Sequence, residues 1–208
     1  MGIKVVGIVG SYRKGKTIDS AVSAVLEGAK AKGAETKKIY LLDEHIEFCT
    51  NCRSCAQEKV ESRRGKCVHD DDMEGILAEI DEADAVVLGA PINFGNVTAI
   101  MKRFIERLGP YFYWPWGKAM APVHRIEKTD KKAVTITSSA CPAFIGRILM
   151  PGALSVMKKA ARVMGAKVVK SLYFGPVCGD KDSQLSEKAL LKAKRAGEKL
   201  VSKIQAGK

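Results

Sequence analysis

The chain has 208 residues, 46% of them apolar and 28% charged, with a formal net charge of +12 at pH 7. That size and balance suit one α/β domain with a sizeable core and exclude a disordered chain, while no apolar run is long enough to span a bilayer. The lysines are scattered over the outer faces of expected helices, as in KALLKAKRAGEKLVSKI, with no nucleic-acid-binding signature beside them, so the charge reads as solvated surface that also attracts anionic cofactors.

In chain order, IKVVGIV is a short β-branched run that reads as a first strand. The opening MGIKVVGIVGSYRKG does not read as a signal peptide, and Val6 stands where a myristoylation signal needs Ser or Thr. The cytoplasm is therefore the expected location, with the six cysteines as thiols, metal ligands or redox groups. A helical pattern follows from Thr17 to about Lys32, and then ETKKIYLL as a second strand. A cysteine-rich loop, 47–69, leads into DDDMEGILAEIDEA, a helix whose acidic first turn suits the helix dipole. DAVVLGAP reads as a third strand, NVTAIMKRFIERL as a helix, and 109–130 as a long aromatic loop. The fourth strand is KAVTITSS, followed by a helix around Ala153 to Met164, a fifth strand AKVVKSLYFG, and a basic closing helix.

Strands alternating with helices imply a parallel sheet covered on both faces, spanning 1–208 as a single domain. The expected architecture is a flavodoxin-like, doubly wound, five-stranded sheet of order 2-1-3-4-5, with a P-loop arrangement as the alternative. In either, ligands bind at the carboxyl ends of the strands, on the loops after strands one, three and four.

The first of these loops, GSYRKGKT, satisfies G-x-x-x-x-G-K-[ST] and sits between a strand and a helix, where backbone N–H groups and the dipole favour an anion. Ser11 and Thr17 add hydroxyls, and Arg13, Lys14 and Lys16 add charge. A triphosphate site would use Lys16 on the outer phosphates and Thr17 on magnesium, with Asp43 as the acidic companion. A monophosphate site needs only the donors. After strand three, PINFGNVTA offers Gly95 for a positive φ, Asn93 and Asn96 as polar groups, and Asn96 as the expected helix cap. After strand four, TSSACPAF brings hydroxyls to the same crevice.

Cys49, Cys52 and Cys55, at two-residue gaps, form an arc of soft ligands suited to a [4Fe–4S] cluster, and the longer gap to Cys67 can close the set without demanding it; zinc would also accept four thiolates, and an ordered loop of free thiols is the third reading. Cys141 and Cys178 stand apart and read as packing residues. The aromatics of YFYWPWG would stack on a flat ring or, as the favoured expectation, pack in the core or a subunit interface. His45, His69 and His124 lack metal-site spacing and receive no catalytic role.

Together GSYRKGKT, CTNCRSC, GKCVHDDDM and PINFGNVTAIMKRFIER resemble the NAD(P)H-dependent FMN reductases of flavodoxin-like fold, including the iron–sulfur flavoproteins. The resemblance implies that Ser11, Arg13, Lys16 and Thr17 hold the FMN phosphate. It implies that Pro91, Asn93, Phe94, Gly95 and Asn96 wrap the isoalloxazine, with Ser138, Ser139 and Ala140 flanking it. Cys49, Cys52, Cys55 and Cys67 would be the metal ligands. Tyr12 and Lys16 depart from the family's proline and asparagine, and Lys16 with Gly15 creates the triphosphate-loop likeness. The expected activity is NAD(P)H-dependent hydride transfer to FMN, and on to a flavin, quinone or redox-protein acceptor, with no acid–base residue required of the protein. Three alternatives stand beside it: an electron-transfer flavoprotein with a [4Fe–4S] cluster, a P-loop NTPase, and a non-enzymatic basic binding module. A homodimer or homotetramer is expected, without nucleic-acid or membrane partners.

Overall fold

A computed structural model describes residues 2–126, 129–178 and 184–207. Glu127 and Lys128 of the aromatic loop lie outside the described residues. Five parallel strands form the main sheet: β1 (Lys4–Val9), β2 (Glu35–Tyr40), β3 (Ala85–Gly89), β6 (Lys131–Ser138) and β7 (Ala166–Phe174). Their order is β2-β1-β3-β6-β7, which is the expected 2-1-3-4-5 arrangement of a flavodoxin-like fold. β1 is an interior strand, with Val5 in register with Thr36 on one side and Ala85 on the other. Every residue of β3 is buried, as a strand covered on both faces must be. The edge strand β2 instead alternates, and its Lys37 reaches out to Glu79 at 2.8 Å.

Helices α1 (Thr17–Lys30) and α6 (Glu187–Gln205) cover one face of the sheet. Helices α2 (Met73–Glu82), α3 (Ala99–Glu106) and α5 (Gly152–Val163) cover the other, around Met73, Leu77, Met101, Phe104 and Met157. α1 and α6 touch through glycine: a Cβ on Gly28 would stand 2.0 Å from the Lys194 carbonyl, and one on Gly197 would stand 1.9 Å from that of Val25. The closing helix is thus set by backbone contact, with its lysines on the outer face.

Four local expectations need correction. The aromatic loop is folded: it holds a 3-10 turn (Gly109–Tyr111) and a small antiparallel hairpin, β4 (Phe112–Tyr113) with β5 (Val123–His124). A short helix absent from the pattern analysis, α4 (Ala143–Leu149), follows Pro142, whose fixed φ suits a helix start. Cys178 is exposed and Cys141 only half-buried, so neither is a core packing residue. The cap of α3 is Thr98, whose hydroxyl accepts the Met101 N–H; Asn96 lies two residues upstream and accepts the Val97 N–H instead.

Candidate functional site

Loops from three strands converge at the carboxyl end of the sheet. The first, after β1, opens onto the amino end of α1. Within it Ser11 is buried and its hydroxyl accepts the Arg13 N–H at 3.2 Å. Gly15 takes a φ of +71°, a conformation glycine adopts without steric cost, and its N–H donates to Asp19 at 2.6 Å. Asp19 also accepts from Lys38 at 2.9 Å and from the Tyr40 hydroxyl at 3.0 Å. Burial alone would push the Asp19 carboxyl up, but Lys38, the Gly15 N–H and Tyr40 together hold it below the usual carboxylate range. The acid of the first helical turn is thereby locked on the outer side of the loop, which leaves a cationic inner side.

That inner side forms one wall of a cleft of about 160 Å³. Ser11, Arg13, Lys16 and Thr17 line it from the first loop. Pro91 and Ile92 line it after β3, and Ser138, Ser139 and Ala140 after β6. The walls are tied together: Ile92 N–H donates to the Ser138 carbonyl at 2.9 Å, and the Tyr173 hydroxyl reaches Ser139 Oγ at 2.9 Å. Two cations and two hydroxyl residues of the first loop, with a helix amino end, facing one cleft fit a phosphate monoester. Apolar Pro91, Ile92 and Val177 give the cleft a non-polar side on which a flat ring could lie.

The remaining expected ring-binding residues are placed differently. Asn93 to Asn96 make a tight turn beyond the cleft wall, with mutual backbone hydrogen bonds of 2.8 and 3.0 Å. Its two central residues are left-handed, Phe94 at φ +47° and Gly95 at +78°, and the Phe94 side chain is fully exposed. Gly152, at the start of α5, backs this turn so closely that a Cβ there would meet the Gly95 carbonyl at 2.6 Å. Asp43, the acid a triphosphate reading would need, is engaged with Lys14.

The cysteine loop lies on the α2–α3 side. Asn51 and Arg53, between the cysteines, both adopt left-handed φ values of +54° and +57°. Two left-handed residues so close together curl the loop tightly between Cys49 and Cys55. All four thiols are free. Burial, and then the nearby Cys67, Cys49 and Cys52, push the Cys55 thiol up to about 11. The Ser54 hydroxyl donates to Cys52 at 3.4 Å and draws that thiol down. The Cys55 sulfur therefore feels the other three, although among the described residues no three potential ligands stand at metal-binding spacing. In donor type, four thiols, the loop suits a thiolate-bound cluster.

The aromatic loop packs on the cysteine loop, as its composition suggested it would pack somewhere. The Arg53 guanidinium lies between Trp114 and Trp116, 3.2 and 3.9 Å from their ring centroids. Trp114 N–H donates to the Ala56 carbonyl and Trp116 N–H to the Gln57 side chain, at 2.8 and 2.9 Å. Arg125 adds bonds to the carbonyls of Pro110, Phe112 and Glu58. Sequence reasoning missed Asp19, Arg53, Thr98 and Arg107 as site-building residues. Thr98 and Arg107 were nevertheless visible, as the Thr and the closing Arg of the quoted PINFGNVTAIMKRFIER.

Comparison with known proteins places this geometry. An iron–sulfur flavoprotein of Archaeoglobus fulgidus is 37% identical over 113 residues, covering 54% of this chain and 49% of that protein. The chain spans about half the length of the curated relatives it matches. Among solved structures, a flavone reductase aligns over 98% of this chain and 63% of its own, with a TM-score of 0.68 at 21% identity. A flavodoxin from the domain Archaea aligns over 98% and 99%, with a TM-score of 0.55 at 15% identity. The family model described as NADPH-dependent FMN reductase matches residues 3–174, and the chain belongs to that family.

Proposed function

We propose that the chain is an FMN-binding oxidoreductase that draws reducing equivalents from NAD(P)H and delivers them to a flavin, quinone or redox-protein acceptor. The observation that carries this reading is the cleft in which Ser11, Arg13, Lys16 and Thr17 face Ser138, Ser139 and Ala140. The first loop would hold the phosphate by charge-assisted hydrogen bonds, and the α1 dipole adds to the same attraction. Pro91 would support the ring, with the turn from Asn93 to Asn96 beside it. FMN, when bound, supplies the hydride and electron chemistry, so the protein's work is to bind, orient and exclude water. The test is spectroscopic: purified protein should show flavin absorption, or acquire it with FMN, and bleach on adding NADPH or NADH. Protein that binds no FMN sinks the reading.

A second reading is favoured by the cysteine loop. Cys49, Cys52, Cys55 and Cys67 are the ligands we assign to a [4Fe–4S] cluster, supported by relatives named iron–sulfur flavoprotein at 34 to 37% identity. Anaerobic preparations should then contain roughly four irons per chain, with matching sulfide. The NTPase alternative is not carried forward, given the family and the pairing of Asp43 with Lys14.

A homo-oligomer is supported by Phe144, Ile148 and Leu149, exposed on α4, together with Phe94. Sedimentation should show a dimer or tetramer, and Phe144→Lys with Ile148→Lys should yield monomer. Six free thiols suit a reducing compartment, and among the described residues no helix is long and apolar enough to cross a membrane. The cytoplasm is the location we infer.

A further inference from the structure

The side chain of Arg107 is 1% exposed and that of Asp71, its partner, is completely buried. Arg107 is the C-cap of α3, and its N–H groups run in three directions. Nη1 donates to Asp71 and, at 2.8 Å, to the Glu47 carbonyl. Nη2 donates to Asp71 at 3.0 Å and reaches the Cys67 sulfur at 3.5 Å. Asp71 in turn accepts the N–H groups of Glu47 and Met73 at 2.8 and 3.1 Å. One ion pair thus grips the loop just before Cys49 and at Cys67.

A clamp for the loop needs only the bonds to Asp71 and Glu47. The approach of Nη2 to Cys67 is additional, and it places a charged donor on a sulfur. We propose that Arg107 is a positioning residue that holds Cys67 by an N–H···S bond and raises the reduction potential of a cluster bound at Cys49, Cys52, Cys55 and Cys67. The proposal rests on the second reading above. A one-electron reduction adds negative charge to the cluster and its sulfurs. Hydrogen bonds to those sulfurs are among the levers that set such potentials, and a cationic donor favours the reduced form. Asp71 opposes this, because its carboxylate cancels most of the Arg107 charge.

Two substitutions should therefore move the potential in opposite directions. Arg107→Lys can keep the pair with Asp71, but an ammonium lacks the fork that also reaches sulfur. Asp71→Asn keeps Arg107 and removes the opposing charge. The experiment is a redox titration of anaerobically prepared protein, followed by the EPR signal of the reduced cluster, with iron and sulfide measured on every sample. Arg107→Lys should lower the reduction equilibrium on the order of tenfold, about 59 mV for one electron. Asp71→Asn should raise it. Where Arg107→Lys fails to hold iron, the rise in Asp71→Asn still decides in favour. Loaded variants with unchanged potentials, or shifts of one sign in both, overturn the proposal. So does loss of iron from both variants while the wild type retains it, since Arg107 would then be a loop clamp alone. Wild-type protein without iron or sulfide overturns the cluster reading itself.

Discussion

The Thr98 hydroxyl donates to the Gly10 carbonyl at 2.7 Å, and the same oxygen accepts the Met101 N–H at 3.3 Å. One fully buried side chain thus caps α3 and joins the loop after β3 to the phosphate loop. Thr98→Val keeps the shape but orphans both backbone groups. We expect a loss of about 2 kcal/mol in urea unfolding and weaker FMN binding. Thr98→Ser, which restores the hydroxyl, should recover both. Wild-type stability in Thr98→Val would show that the bond contributes nothing.

Lys16 separates the two phosphate chemistries that GSYRKGKT allows. On a monophosphate it is one cation beside Arg13, so Lys16→Ala should weaken FMN binding about tenfold without abolishing it, as expected for one charged hydrogen bond. Quenching of FMN fluorescence on titration measures this directly. A magnesium-dependent affinity for ATP that disappears in Lys16→Ala would instead restore the triphosphate reading.

The Asp19 carboxylate gives the phosphate loop a pH dependence. Its proton affinity in the fold is lowered by Lys38, the Gly15 N–H and Tyr40 against the opposing effect of burial. A group with a depressed folded value stabilises above its ordinary value, and that contribution is lost as pH falls through the folded value. Asp19→Asn should therefore be less stable than wild type at neutral pH, by about 1–3 kcal/mol. The gap should close as pH falls below the ordinary carboxylate range. Stability curves that stay parallel down to strong acid would contradict this.

The fold was legible because β1 and β3 are apolar nearly throughout and alternate with helical patterns, which leaves few right-handed topologies. The residue groups on the first and last ligand loops were also legible, since Ser11 to Thr17 and Ser138 to Ala140 follow strands directly. What the pattern could not reveal depends on long-range pairing. Asp71 looked like a helix-starting acid, yet its carboxylate turns back to Glu47 and Arg107. Asn96 has the chemistry of a cap, but the tight turn at Phe94 and Gly95 starts α3 two residues later. YFYWPWG carried a strong packing signal but no address, because its partner, Arg53, lies about sixty residues upstream.

Arg53 supplies the last test. Its left-handed backbone places the guanidinium between Trp114 and Trp116, and this stack joins the cysteine loop to the aromatic loop. A guanidinium is planar and can stack on two rings at once, whereas an ammonium is a compact, strongly hydrated point charge. Arg53→Ala should cost about 1–2 kcal/mol. It should also shift tryptophan emission to the red as both indoles gain water, and speed proteolysis between the cysteines and the first strand residue of the hairpin. Arg53→Lys should fall between alanine and wild type. The backbone bond from Trp114 to Ala56 remains in every variant, so complete release of the aromatic loop is not expected. If emission and proteolysis are unchanged in Arg53→Ala, the loops are held by their backbone bonds, Gln57 and Arg125, and the stack is incidental.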